Sequence, residues 1–345
     1  MKILYVGDSS KNGYSLYQYS ILKKKFKETK LIDFKKINFF FSLINRLSWH
    51  INFSIFDHII HFYLKNKINE NYDLTYIHNE HVLGFKSINF LKKISKKTIF
   101  YCPDNPFKLR DNQRWYLLKP NLRLFDLIIF MQKNRLKYAK KNKLNNIVWI
   151  HPTFKIQEHE RKKVNFKNRK YKIDVLIIGT WFPERGKLFL KLIENKINVV
   201  VYGAKWEKFK FYRKYKKFIN KQINNDNLYR DTIYSSKITL CLPSIENDDD
   251  ITNKSLEIPH IGSLLLAKKT RTHSQLFRDN IDAIFFNDTN DCLLKIKYLL
   301  NNQEKILKIS KAGYFKIRKI KNNISYEANI KNILKNLSNK KNFFI

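Results

Sequence analysis

The chain has 345 residues and a net charge of +39, from 68 Lys and Arg against 29 Asp and Glu. This length predicts about two domains, and a hydrophobic content of 43% excludes a disordered polycation, which would lack apolar residues to bury. The chain has only 8 Gly, 7 Pro and 3 Cys, and these counts exclude a collagen and a small disulfide-rich protein. The cysteines lie far apart, which indicates free thiols, and no secretory or spanning segment is evident. We therefore expect a cytoplasmic protein, at most peripheral at the inner face of a membrane.

Short apolar runs alternate with helical stretches along the chain, which is typical of doubly wound parallel sheets. We predict strands in the first half at 2–6, 30–32, 74–78, 98–101, 127–130 and 147–150. In the second half we predict them at 173–178, 198–202, 238–242, 263–267 and 283–286. Helices are predicted at 15–27, 292–300, 303–318 and 325–339.

The polar stretch 157–170 has few apolar anchors and separates the two series of strands. We therefore predict an N-terminal domain over 1–156, a linker over 157–172, a second domain over 173–324, and a last helix and tail over 325–345. Two α/β halves joined in this way predict a cleft between domains, a common place for ligands.

Three of the few glycines follow directly on predicted strands: Gly7, Gly179 and Gly203. In open α/β sheets the ligand sits beyond the carboxyl ends of the strands, so these glycines mark candidate binding loops, with a tight turn as the alternative. Gly7 and Gly13 enclose a loop that could let an acceptor or a phosphate approach the backbone.

A polar segment at 249–262 holds two carboxylates, Asp249 and Glu257, with seven residues between them. Glu257 is expected to precede a helix start. The run 248–250 is all aspartate and could mimic a metal-binding pair, but acidic runs ahead of a helix more often cap it.

From Asn247 to Gly313 the chain resembles the C-terminal half of the spore-maturation (CgeB-like) glycosyltransferases, relatives of the retaining GT-B enzymes. The residues that carry the resemblance are Asn247, Asp249, Thr252, Lys254, Leu256, Glu257 and Ile258-Pro-His-Ile-Gly262. Ile178-Gly-Thr-Trp-Phe-Pro-Glu-Arg185 and Tyr202-Gly-Ala-Lys-Trp206 resemble the opening of the donor domain. Lys254 stands where the family has Arg, which keeps the charge but loses the bidentate guanidinium.

The resemblance implies two Rossmann-like domains facing across a cleft, with the acceptor-side domain over 1–156 and the nucleotide-sugar donor-binding domain over 173–324. It also implies that the last helix, over 325–345 with the tail, crosses back to the first domain. It implies sugar transfer from a nucleotide-sugar donor to an acceptor hydroxyl, with retention and without a metal or other cofactor. The donor-binding residues it implies are Gly179, Thr180, Arg185, Tyr202, Gly203, Asp249, Thr252, Asn253, Lys254 and Glu257. Glu257 would hold the ribose hydroxyls, while Arg185 and Lys254 would stabilise the leaving diphosphate.

On the acceptor side, Asp104 follows a predicted strand in a Pro-Asp-Asn-Pro turn that resembles one in these relatives. It is the third candidate catalytic residue, since it could orient or deprotonate an acceptor hydroxyl; the turn also has structural reasons of its own. His78 and His81 flank Asn79-Glu80 after another strand and are interpreted as loop residues.

The expected partners are a nucleotide sugar and a glycan, lipid-linked or protein acceptor. Phe40, Ile44, Leu47, Ile51 and Ile55 recur at helical spacing and are predicted to be mainly core, so only weak association with anionic membranes is expected. A nucleotide-sugar epimerase of the same architecture stays an alternative. A basic nucleic-acid-binding protein is another, although the dispersed charge and missing motifs argue against specific nucleic acid binding.

Overall fold

The computed structural model describes residues 1–37, 54–108, 113–156, 160 and 163–338, and it divides into two compact units. The first unit contains residues 1–153, 245–248 and the chain from 326 onward; the second contains 154–244 and 249–325. Each unit is built on one six-stranded sheet whose neighbouring strands are all parallel. The predicted α/β class is therefore confirmed.

The first unit alternates strands and helices along the chain. Its strands are β1 (Ile3–Val6), β2 (Thr29–Ile32), β3 (Tyr72–His78), β4 (Ser95–Cys102), β5 (Leu127–Phe130) and β6 (Ile147–Trp149). Ahead of the C-terminal helix, its described residues form the helices α1 (Tyr14–Lys25), α2 (Ile55–Lys67), α3 (Phe85–Lys93) and α4 (Arg135–Lys141). The strand order is β2-β1-β3-β4-β5-β6.

The strands of this sheet are apolar throughout because both of their faces are covered. In β1, Leu4 and Val6 belong to one buried apolar cluster, while Ile3 and Tyr5 belong to another. Successive strand residues point to opposite faces, so a continuous apolar run is what a doubly covered sheet requires.

The second unit repeats this architecture. Its strands are β7 (Ile173–Ile178), β8 (Val199–Tyr202), β9 (Ile219–Asn220), β10 (Ser236–Cys241), β11 (Leu264–Lys268) and β12 (Ile284–Phe286). Its helices are α5 (Pro183–Glu194), α6 (Tyr212–Tyr215), α7 (Asp226–Tyr234), α8 (Asn253–Ile261), α9 (Arg271–Leu276), α10 (Thr289–Leu300) and α11 (Gln303–Ile324). The strand order is β12-β11-β10-β7-β8-β9.

Each sheet has one point at which the chain changes the side to which it adds strands. In the first sheet this switch lies between β1 and β3, and in the second it lies between β7 and β10. The loops that leave two such strands diverge to opposite faces and open a crevice, which is where open α/β sheets bind ligands. The fold therefore predicts one candidate site in each unit.

The last helix, α12 (Tyr326–Ser338), belongs to the first unit. Its residues Tyr326, Ile330 and Ile333 are buried in the same apolar cluster as Ile3 and Tyr5 of β1. The expectation that the final helix crosses back to the first unit is therefore confirmed. None of the helices described is long and apolar enough to cross a membrane.

The structure differs from the predicted boundaries in two places. Phe154 and Ile156 are buried in the core of the second unit, and Val164 lies 2.8 Å from where a Cβ on Gly262 would stand. The described parts of 154–172 therefore pack on that unit instead of forming a separate linker. Residues 245–248 belong to the first unit, where the side chain of Asn247 accepts a 3.1 Å hydrogen bond from the Asn105 amide.

The amphipathic stripe predicted to be core lies largely outside the described residues. Phe40, Ile44, Leu47 and Ile51 are in the part of the chain that is not described. Ile55 begins α2 and is 58% exposed, so the prediction that it is buried is wrong. It lies on the solvent face of α2, whereas the opposite face buries Phe56, Ile60 and Leu64.

Candidate functional site

Arg185 joins the two sides of the switch point in the second unit. It lies in the first turn of α5, after β7, and its Nη1 donates a 2.7 Å hydrogen bond to the carbonyl of Thr180. Its Nη2 donates to the carbonyl of Leu242, directly after β10. Its Nε is buried without a hydrogen-bond partner. The guanidinium group thus brings a positive charge and one unused donor to this crevice.

The loops after β7 and β8 approach each other so closely that Gly203 has to be a glycine. A Cβ on Gly203 would lie 1.9 Å from the carbonyl oxygen of Gly179. That same oxygen accepts a 2.9 Å hydrogen bond from the Trp206 indole nitrogen, and the Gly179 amide donates to Tyr202. These bonds fix the backbone beside Arg185, and they explain why glycine follows both strands.

The N-terminus of α8 forms the second wall of the site. Thr252 precedes the helix in an extended conformation, and its amide donates a 3.1 Å hydrogen bond to Oγ of Ser255, which completes a capping box. Asn253 and Lys254 are the first two residues of the helix. The backbone amides of a helix N-terminus and its dipole favour an anion, and Lys254 adds a full charge there.

Four charged side chains of the second unit influence one another at this site. Burial lowers the pKa of Lys254, and Arg185 adds to this effect, while the carboxylates of Glu257 and Asp249 oppose it. Burial also lowers the pKa of Arg185, against the influence of Glu184 and Asp249. Two cations are thus held close enough to repel each other, which is what an anion between them would relieve.

Glu257 is buried inside α8, and its Oε2 accepts a 2.7 Å hydrogen bond from the Tyr229 hydroxyl of α7. It is the fifth residue of the helix, so the expectation that it precedes the helix start is wrong. The N-terminal charge effect fades within the first turn, and Thr252 with Ser255 already caps the helix. Glu257 therefore is not a capping residue, and its charge is compensated by Lys254 and the Tyr229 hydroxyl.

A buried histidine, His273, contacts the residues that cap α8. Nδ1 of His273 lies 2.8 Å from the Lys268 carbonyl, and its Nε2 lies 2.8 Å from Oγ of Ser255. Sγ of Cys241 lies 3.3 Å from the same Oγ, and burial, which disfavours the thiolate, is outweighed by the hydrogen bonds that lower the Cys241 pKa. The start of α8 is thus tied to the end of β10.

The acidic run 248–250 has structural roles. Asp250 accepts hydrogen bonds from the amide and the hydroxyl of Thr272 at the start of α9. Asp248 accepts a 2.9 Å hydrogen bond from the Tyr138 hydroxyl in the first unit. These contacts favour the cap interpretation of the run over a metal-binding pair. Among the described residues, no group of three His, Cys, Asp or Glu side chains is placed to hold a metal ion.

The remaining candidates lie in the first unit. Gly7 follows β1, and a Cβ there would lie 2.6 Å from Oγ of Ser15, while Gly13 precedes α1. Oδ2 of Asp104 accepts hydrogen bonds from Arg114 at 2.9 Å and from Asn79 at 3.0 Å. Asp104 is therefore held in an ion pair just beyond the carboxyl end of β4.

The structure thus brings most of the sequence-predicted residues of the second unit to one end of its sheet. Sequence reasoning missed Tyr229 and His273, which contact the site residues from other helices. It also passed over Trp206 as a site residue, although this tryptophan closes the motif that begins at Tyr202.

One family model, one curated protein and several solved structures are similar to the chain. Residues 184–335 match the model of a glycosyl transferase-like family. The match spans less than half of the chain and contains Arg185, Lys254 and Glu257. This segment is therefore similar to glycosyl transferase-like domains. A stretch of 138 residues is 30% identical to guanylate cyclase beta of Plasmodium falciparum, and it covers 39% of this chain and 4% of that protein. The chain thus spans only a small part of this curated relative.

Solved structures are similar to the chain over nearly its whole length. Anabaena HepE in complex with UDP and glucose has a TM-score of 0.65 at 13% identity, with 98% of this chain and 99% of that one covered. Sucrose-phosphate synthase from Thermosynechococcus elongatus has a TM-score of 0.69 at 9% identity, with 99% and 100% covered. A glycosyltransferase from Rickettsia africae has a TM-score of 0.59 at 12% identity, with 97% of each chain covered. At these identities the likeness shows the fold, which is that of GT-B glycosyltransferases.

Proposed function

We propose that the protein transfers a sugar from a nucleotide-sugar donor to an acceptor hydroxyl, and that the second unit binds the donor. The observation that carries this proposal is the pairing of Arg185 and Lys254 at the switch point, beside the N-terminus of α8. Such a group of cations and backbone amides suits a diphosphate. HepE was solved with UDP-glucose in a related fold, so a UDP-sugar is the first donor to test.

In this proposal the two cations act on the bond that breaks. The nucleoside diphosphate leaves with the electron pair of the anomeric carbon–oxygen bond, so negative charge grows on its oxygens in the transition state. Arg185 and Lys254 stabilise that charge without a metal, and Gly179 with Gly203 lets the backbone approach the donor. Glu257 accepts hydrogen bonds from the ribose hydroxyls, and the reaction retains the anomeric configuration.

The acceptor side and the biological setting follow the resemblance to CgeB-like transferases. We propose that the first unit binds a glycan, lipid-linked or protein acceptor near Asp104, at the carboxyl ends of its strands. The free, buried cysteines fit a reducing compartment, so we place the reaction in the cytoplasm. The net charge of +39 supports weak association with anionic membrane surfaces.

Turnover of UDP-glucose, followed with and without EDTA, tests the proposal. We expect UDP release that depends on an added acceptor, survives EDTA and gives a product of unchanged anomeric configuration by proton NMR. Conversion of the UDP-sugar into its epimer, without any glycoside product, would favour the epimerase alternative. Loss of turnover with EDTA would refute the metal independence but not the transfer of the sugar.

A further inference from the structure

Glu80 lies at the switch point of the first sheet, outside the proposed donor site of the second unit. It follows β3 by two residues, and β1, the other strand of this switch, ends beside it. At Gly7, after β1, an added Cβ would lie 3.1 Å from Cβ of His78, so the two loops start in contact. Glu80 thus stands at the place where an open α/β sheet binds its ligand.

Polar atoms after β3 are left without partners. Within the described part of the chain, the Glu80 carboxyl has no hydrogen bond or ion pair, and Nε2 of His78 and Oδ1 of Asn79 are buried and unpaired. Buried polar groups are almost always hydrogen-bonded, because an unpaired one costs about 1–3 kcal/mol. Two neighbouring buried atoms without partners, next to a half-buried carboxyl that no group of the described residues binds, therefore indicate a ligand that satisfies them.

The charged groups around Glu80 are themselves paired. Asp8 accepts from Lys35, Asp33 accepts a 2.8 Å hydrogen bond from the Ser9 amide, and Arg114 pairs with Asp104. Each of these side chains therefore has a partner other than Glu80. Three carboxylates face two cations here, in a chain whose net charge is +39. This local balance disfavours an anionic ligand.

We propose that Glu80 donates a hydrogen bond to a hydroxyl oxygen of the acceptor, and that His78 and Asn79 complete a subsite for a neutral polyhydroxyl compound, that is, a sugar. This inference rests on the proposed function, because it assigns the acceptor to this crevice.

The protonation states agree with this assignment. Burial raises the pKa of Glu80 to about 8, with Asp33 and Asp8 adding to the effect and Lys35 and Arg114 opposing it. Burial lowers the pKa of His78 to about 4, and that of the neighbouring His81 to about 3. At neutral pH all three side chains are therefore mainly uncharged. A neutral carboxyl group both donates and accepts hydrogen bonds, as a sugar hydroxyl does.

Deprotonation of Glu80 removes the hydrogen bond that its proton donates to a sugar oxygen and leaves two acceptors facing each other, so acceptor binding should weaken. Its carboxyl loses its proton as the pH rises through about 8, and with it the only hydrogen-bond donor of the side chain. Glutamine is neutral at every pH and keeps one donor and one acceptor, so Glu80→Gln imitates the protonated form. Alanine offers neither.

The test uses D-glucose as the probe, on full-length protein saturated with UDP, with saturation-transfer NMR at about pH 6.5 and about pH 9.5, either side of the Glu80 pKa. We expect the wild-type glucose signal to fall several-fold at the higher pH. Glu80→Gln should keep the signal at both, Glu80→Ala should lose it at both, and the exposed control Glu28→Gln should behave as wild type.

Four results would overturn the inference: no glucose signal in the wild type, a full signal in Glu80→Ala, loss of signal in Glu80→Gln at the lower pH, or an equal pH effect in Glu80→Gln. UDP binding, measured by calorimetry, should be the same in all variants. If UDP does not bind the wild type, the proposed function has failed; if UDP binds and glucose behaves otherwise, only the acceptor assignment has failed.

Discussion

The Tyr229 hydroxyl donates a 2.7 Å hydrogen bond to Oε2 of Glu257, and so a phenol of α7 orients the carboxylate that α8 carries. If Glu257 holds the ribose hydroxyls, Glu257→Gln replaces a charged acceptor by a neutral one of the same shape. Charge-assisted hydrogen bonds contribute about 1.5–3 kcal/mol, so donor affinity should fall roughly ten- to a hundredfold by calorimetry.

Tyr229→Phe is the matched control for this substitution. It removes the orienting hydroxyl and leaves the carboxylate in place, so donor affinity should fall less than in Glu257→Gln. The melting temperature of Glu257→Gln should change little. If this variant instead loses stability while donor binding is intact, Glu257 is only the counter-ion of Lys254, and the assignment of the ribose site is wrong.

Arg185→Ala should lower kcat more than donor affinity, because the charge on the leaving diphosphate grows in the transition state. Removing one such electrostatic contact costs about 10²–10³ in kcat. Arg185→Lys keeps the charge but cannot reach both carbonyls, those of Thr180 and Leu242. Steady-state kinetics of both variants separates the role of the charge from that of the backbone hydrogen bonds. If Arg185→Lys is as slow as Arg185→Ala, Arg185 acts through the backbone that it holds and not through its charge.

The last helix should stabilise the first unit. Ile330 of α12 is 1% exposed, and truncating such a side chain costs about 2–5 kcal/mol. Ile330→Ala should therefore lower the urea midpoint of the first unit's transition, and deleting residues 324–345 should lower it further. The neighbouring exposed control, Lys331→Ala, should change the free energy of unfolding by less than about 0.5 kcal/mol. An unchanged unfolding curve after the deletion would refute this role of α12.

Binding to anionic vesicles should be weak and should disappear at about 1 M salt, because it arises from the general positive field. Neutral vesicles should not bind in a sedimentation assay. Ile55, Ile59 and Phe62 form an exposed stripe on α2, and Phe62 is 68% exposed. Binding that survives high salt and is lost in Phe62→Ser would show that this stripe inserts into the bilayer, contrary to our expectation.

Much of the fold could be predicted from the sequence because parallel strands covered on both faces are continuous apolar runs. The predicted strands 127–130 and 173–178 coincide with β5 and β7. The strand β9 was missed, since Ile219–Asn220 is only two residues long and carries no periodicity. The boundary at 157–172 was misjudged because the contacts of Phe154 and Val164 join segments far apart in the chain.

The candidate site was predictable only where its residues are neighbours in sequence. Pro259 disfavours helical conformation in the residue before it, so a helix that begins at Asn253 and continues through this proline was not expected, and Glu257 was placed ahead of the helix. Tyr229 reaches Glu257 across 28 residues, and no local pattern marks such a contact. The sequence places Glu80 after a strand but does not show the strand order that brings it to the switch point.

Thermal denaturation of the wild-type protein with a panel of nucleotide sugars tests the central claim most directly. A ligand at 100 times its Kd stabilises the folded state by about 2.7 kcal/mol, so a true donor should raise the melting temperature by several degrees. We predict such a shift with a UDP-sugar, in the presence of EDTA, and a much smaller one in Glu257→Gln. If no uridine, guanosine, thymidine, cytidine or adenosine diphosphate sugar shifts the transition, the protein does not bind a nucleotide-sugar donor, and the proposed function is wrong.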